Sequence, residues 1–297
     1  MAEVMQPRMP AVERLDQVGD VWVLVTDSST LLGPEASGQV AVCGSHGGIN
    51  AALFAASAGA KAAIFNDAGV GKDVAGIAGL TATEPYGLAV AAADFMSARI
   101  GDGNDLYRSG LISHCNRWAE HAGLQIGMEV TAAARLLAVW TAHVGKPRPS
   151  SPRDRPPEMV RLAQHRIVVA DSISQVEIGH IGVVVISGSH GGMVAGRAVK
   201  VKVGGAFFND AGVGKDGAGI TRLPVLEQQG IPAATVAHTS ARIGDGLDTF
   251  HSGLVSHANP LALAVGVALG QTVEEAALAL AQHAGRPQSI DSNEGGR

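Results

Sequence analysis

The chain has 297 residues, 46% of them hydrophobic, which suits two domains of ordinary size that each bury a core. A net charge of −5 and the lack of a basic tract exclude the electrostatic footprint of a nucleic-acid binder. No uncharged apolar run reaches the roughly 18 residues of a membrane-spanning helix, so no membrane partner is expected.

Aromatic residues make up 4% of the chain and glycine occurs 39 times, which points to Ala, Val and Leu packing with many tight turns. The stretch up to Asp20 is polar, carries Pro7 and Pro10, and lacks the apolar segment of a signal peptide. Cys43 and Cys115 read as buried thiols rather than a disulfide, and a cytoplasmic location is expected.

The first predicted strand is Val21-Trp22-Val23-Leu24-Val25, ending in Asp27-Ser28. The next, residues 39–43, feeds Gly44-Ser45-His46-Gly47-Gly48 and then a helix. A third, 62–65, delivers Phe65-Asn66-Asp67-Ala68-Gly69-Val70-Gly71-Lys72-Asp73, followed by another helix. A fourth, 88–93, delivers Ser97-Ala98-Arg99-Ile100-Gly101-Asp102-Gly103. The segment from Gly110 to Asn116 follows, and a helix over 129–144 closes the set with Val130, Leu137 and Trp140 at helical spacing.

Everything then recurs. Strands are predicted at 167–170, 182–186, 205–208 and 233–237. They deliver Asp171-Ser172, Gly188-Ser189-His190-Gly191-Gly192, the nine residues from Phe208 to Asp216, and the run from Ser240 to Gly246. The segment Gly253 to Asn259 and a helix over 272–284 complete the second set, most of it 143 positions after the first. A period this long predicts two folded units rather than a solenoid. The fold is therefore α/β, a tandem duplication of two similar units with pseudo-twofold symmetry, each a mostly parallel sheet flanked by helices. Residues 20–147 form the first unit and 165–287 the second. Residues 148–164, rich in proline and charge, read as the linker.

The polar motifs all follow parallel strands, where ligand crevices of such sheets lie. Between the motifs the copies diverge, as in Ile49 to Phe54 against Met193 to Ala198, while Ser, His, Asn, Asp, Lys and Arg stay in place. That contrast predicts a functional site. The plainer reading is that glycines fix turns and the polar groups satisfy them.

In Gly-Ser-His-Gly-Gly, Ser45 and Ser189 are candidate nucleophiles, and His46 and His190 candidate acid/base groups. The N–H groups of Gly47, Gly48, Gly191 and Gly192 could receive an anion or oxyanion, although serine caps of this kind are common. The nine-residue motif departs from a phosphate-binding loop. Asn66 and Asn209 stand where glycine is required, and Asp73 and Asp216 where Ser or Thr is, which excludes nucleotide triphosphates. Lys72 and Lys215 suit a base or a carboxylate partner. Arg99 and Arg242 could grip a substrate carboxylate or pair with Asp102 and Asp245. Asn66, Asp67, Asp102 and His114, with their repeats Asn209, Asp210, Asp245 and His257, complete the predicted substrate-binding set. His46, Asp67, Asp102 and His114, with their repeats, have the ligand types of a divalent-metal site, but no His-x-His or His-x-x-x-His spacing joins them. No cofactor is predicted, with a divalent metal as the alternative.

The sequence thus predicts a hydrolase acting on an amide, lactam or ester bond of a small, polar, carboxylated substrate. The alternatives are a lyase or isomerase using Lys, His and Asp for proton transfer, and a non-catalytic small-anion-binding protein. A homo-oligomer is compatible with this reading, and whether one or two sites operate is open.

Overall fold

Val- and Ala-rich runs of four to seven residues, apolar at successive positions, build the inner strands of the sheets. The computed structural model describes residues 12–143, 145–149 and 155–284. Among these, strands β1 Glu13–Val18, β2 Val21–Thr26, β3 Val40–His46, β4 Ala62–Asn66, β5 Ala89–Ala93 and β6 Ile112–Cys115 form one six-stranded sheet in chain order. Strands β7 Glu158–Leu162, β8 His165–Ala170, β9 Val184–His190, β10 Gly205–Asn209, β11 Ala233–Val236 and β12 Val255–Ala258 form the second in the same order. The four inner strands of each sheet are parallel, and both edge strands are antiparallel. The two registers correspond, with Val23 opposite Val40 in one sheet and Ile167 opposite Val184 in the other.

Helices cover both faces, so the inner strands are apolar throughout rather than alternating. In the first unit these are α1 Ile49–Ser57, α2 Ala78–Ala82, α3 Gly103–Ser109, α4 Arg117–His121 and α5 Val130–Val139. Along β3, Val40 and Val42 join the core that includes Leu106 and Leu137, whereas Ala41 and Cys43 join Ala52 and Leu80 on the other face. The second unit has α6 Arg222–Gln228, α7 Gly246–Ser252, α8 Pro260–Ala264 and α9 Val273–Ala284. The tandem α/β duplication predicted from the sequence is the observed fold.

Two features differ from the sequence reading. Edge strands β1 and β7 lie in stretches that look like a polar tail and a linker. Each is half-exposed and mixes polar with apolar side chains, four of six being polar in β1 and two of five in β7, yet each pairs antiparallel with the following strand. Residues 150–154 of the predicted linker lie outside the described residues.

The second difference is a correction. A helix follows Gly47-Gly48 but none follows Gly191-Gly192. Ile49–Ser57 has five alanines and leucines that favour helix, whereas its counterpart carries Gly196 and the β-branched Val194, Val199 and Val201.

Candidate functional site

The carboxyl ends of the inner strands of one sheet face those of the other. The Lys72 ammonium sits 2.8 Å from Asp248 Oδ1, and Lys215 sits 2.9 Å from Asp105 Oδ1. The Lys72 N–H donates to the His238 carbonyl at 2.8 Å, and the Lys215 N–H to that of Phe95 at 2.9 Å. Arg99 pairs with Asp216 at 3.1 Å and Arg242 with Asp73 at 3.4 Å. Each contact recurs with the partners exchanged, the signature of an isologous twofold interface. The repeated polar motifs therefore hold the units together.

The loop that makes these contacts is strained identically in both copies. Val70 and Val213 have φ of 64° and 67°, a region costly for a β-branched residue. Gly71, at φ +69°, passes so close to the other unit that a Cβ there would lie 3.0 Å from the His238 carbonyl oxygen.

Lys72 to Met should therefore act on stability. Asp248 is almost buried and would keep only Arg242 as its cation, so the expected loss is about 2 kcal/mol by urea unfolding. A variant as stable as the parent would remove the pair from the interface energetics.

The remaining predicted residues divide into turn braces and helix caps. Asn66 and Asn209 are fully buried. Each accepts from the N–H two residues on and donates to the carbonyl of Ala98 or Ala241. Asp67 accepts from the N–H groups of Gly69 and Phe95 and from the Ser113 hydroxyl, and its burial raises its pKa. Burial also acts to raise that of Asp210, but its bonds from His238 outweigh this and lower it. His114 lies 3.9 Å from Asp67, with Nδ1 on the Ser113 hydroxyl, and His257 lies beside Ser256. Asp102 caps α3 and Asp245 caps α7, each also within reach of its own arginine. Among the described residues no three His, Cys, Asp or Glu side chains form a metal-binding group.

One cavity of about 1060 Å³ opens between the units, and it gathers Ser45, His46, Ser189 and His190. Arg242, Asp245 and Asp73 also line it, whereas Lys72, Lys215, Asn66, Asp67, Arg99 and His114 stand outside its lining. The Ser45 hydroxyl accepts from the Ser29 N–H at 3.0 Å, and that of Ser189 from the Ile173 N–H at 3.0 Å. Neither serine bonds to its neighbouring histidine, because successive side chains at a strand end diverge.

His46 Nδ1 accepts from the Gly48 N–H at 3.1 Å, and His190 Nδ1 from the Gly192 N–H at 3.2 Å. This assigns the proton of each neutral ring to Nε2. Burial pushes the His46 pKa down to about 4. Burial, then the nearby Arg222 and His46, holds His190 well below its usual range. The Gly47 and Gly191 N–H groups donate to the carbonyls of Asn66 and Asn209. All four motif glycines thus have their N–H groups engaged, and none is free for an oxyanion as the sequence suggested.

Sequence reasoning missed Asp105 and Asp248, although Gly-Asp-Gly-x-Asp recurs in both copies and could have flagged them. It also missed Arg155, which binds Asp171 and Asp245 at 2.6 Å each, and the buried Arg222. Neither arginine belongs to a repeated motif. No protein-family model, curated protein or solved structure matches the chain.

Proposed function

We propose that the cavity between the units is the working site and that the protein hydrolyses an amide, lactam or ester bond in a small carboxylated molecule bound there. The observation that carries this reading is the convergence of both Ser-His pairs on one cavity at the strand ends of both sheets. Ser45 or Ser189 supplies the hydroxyl that attacks the carbonyl carbon. Its proton leaves with the departing amine or alcohol as that bond breaks, and water then releases the acid from the serine ester. His46 and His190 are neutral with Nε2–H groups, which suits them to donate to a carbonyl oxygen as charge develops on it. They replace the glycine N–H groups in that role. Lys72 and Lys215, ion-paired outside the cavity, are left out of the reaction.

A second reading, a small-anion-binding protein without catalysis, is favoured by one observation. Among the described residues, neither serine hydroxyl is hydrogen-bonded to a histidine, lysine or carboxylate that could take its proton. A fluorophosphonate probe separates the two. Hydrolysis predicts a covalent mass shift located on Ser45 or Ser189 and lost in the corresponding Ser to Ala variant. An unlabelled protein that still binds ligand in the cavity would overturn the hydrolase and leave the binder.

A further inference from the structure

The two ends of the cavity are not alike, although the units that build them are copies. In the first unit α1 packs across Gly79, where a Cβ would lie 2.5 Å from the Gly48 carbonyl oxygen and 2.6 Å from the Ala52 methyl. No side chain fits there. The equivalent position, 143 residues on, is Arg222, in the unit that lacks the helix. Its guanidinium fills the vacated space. Nε donates to the Gly192 carbonyl at 2.8 Å, a terminal nitrogen donates to the Ala198 carbonyl, and the group lies 5.1 Å from the centre of the Phe208 ring.

The charge of Arg222 has no counter-ion on the cavity wall. The lining carboxylates are Asp73, Asp171 and Asp245. Asp171 and Asp245 are bound by Arg155, and Asp73 by Arg242. Arg222 is 3% exposed, and among the described residues no carboxylate pairs with it. Desolvation lowers its pKa to about 10, so it stays cationic at neutral pH. Carbonyl oxygens and a ring face compensate only part of the cost of burying such a charge. Donor capacity is also left over, because a guanidinium has five N–H groups and the two carbonyls take one each. Arg197 and Lys200 line the same end, while Ile49, Ala51 and Phe54 of α1 line the other.

We infer that the second-unit end of the cavity is a carboxylate subsite built on Arg222, and that the ligand lies across the pseudo-twofold axis with its apolar body toward Phe54. This rests on the reading of the cavity as the site for a small carboxylated molecule, and it adds which residue takes the carboxylate and which way the ligand lies. It also gives the lost helix a consequence. A symmetric cavity would accept a ligand in two equivalent directions, and the Gly79/Arg222 difference selects one of them.

The test uses the full-length protein with benzoate, benzamide and phenyl phosphate as probes, titrated by calorimetry. Benzoate should bind more tightly than benzamide, which has the same shape without the charge. Arg222 to Gln keeps an amide for the two carbonyls and should weaken benzoate at least about tenfold while leaving benzamide unchanged. Arg222 to Lys keeps the charge without the planar fork and should fall between. Because either variant could unfold, a crystal of the unaltered protein with 4-bromobenzoate gives an independent result. The carboxylate should contact the Arg222 guanidinium, with bromine toward Phe54.

Equal binding of benzoate and benzamide overturns the inference, and so does tighter binding of phenyl phosphate than of benzoate. A folded Arg222 to Gln variant with benzoate affinity within about twofold of the parent does the same. Bromobenzoate seated in the cavity with its carboxylate away from Arg222 removes this orientation and spares the cavity reading. Bromobenzoate bound only elsewhere removes both, and the serine-labelling outcome is independent of either.

Discussion

Asn116 to Ala should be among the most damaging single substitutions in the first unit, with an expected loss of about 4 kcal/mol. Asn116 is 3% exposed and uses its amide completely. Oδ1 accepts from the N–H groups of Val90 and Ala119, and Nδ2 donates to the carbonyls of Leu80 and Leu88. One side chain thus ties β5, the end of β6, α2 and the start of α4. Alanine would remove four buried hydrogen bonds, leaving three backbone groups without a partner and the Leu80 carbonyl with only the Thr83 hydroxyl, at about 1 kcal/mol each even after local relaxation. Against a typical total of about 5–15 kcal/mol, that is enough to unfold a marginal unit. Asn116 to Ser should recover about 1 kcal/mol, since a hydroxyl can still cap α4 at Ala119. Urea unfolding of both variants checks the expectation. A loss below about 1 kcal/mol for alanine would show that water or a backbone shift replaces the amide.

Asn259 repeats these bonds with Ala233, Ala262, Ile231 and Leu223. Both asparagines stand in a recurring segment, so the sequence marked their positions but could not tell bracing from chemistry. The same ambiguity runs through the nine-residue motif. Lys72 and Lys215 keep their identity in both copies, and from sequence alone that pattern suits a catalytic base. In the structure each finds its carboxylate on the opposite unit. An isologous interface constrains a residue and its distant partner together, and a linear reading sees only the residue.

The fold was legible because its period was. Four strands per unit, each delivering a motif at its carboxyl end, predict a parallel sheet with helices on both faces. The edge strands were not, because half-exposed β1 and β7 lack a continuous apolar run. Within the candidate site, Ser45, His46, Ser189 and His190 were found by repetition and meet at one cavity. Arg222 could not be found that way, since it is a departure from the repeat. Its meaning depends on a helix that forms in one copy and fails to form in the other.

The buried histidines should make the protein lose stability as the pH falls from about 6.5 toward 4. His46 titrates near 4 in the folded chain and would titrate near 6.5 once unfolded. Between those values the unfolded chain binds more protons, so stability rises with pH and is lost on acidification. A difference of about 2.5 pH units corresponds to about 3 kcal/mol for His46, and His190 adds to it in the same direction. Asp105, Asp210 and Asp248 all have lowered pKa values, so their contributions are present above about 3.8 and disappear only below it. Asp67, raised by burial, acts with the opposite sign and offsets part of the loss. Urea midpoints at about pH 7 and about pH 4.5, at constant ionic strength, should therefore differ strongly in the parent chain. The double variant His46 to Asn and His190 to Asn isolates the cause. An asparagine oxygen can take the place of Nδ1 as acceptor for the Gly48 or Gly192 N–H without adding a titrating group. Its stability should change little over the same range, and a slope equal to the parent's would show that the imidazoles are not held neutral by burial.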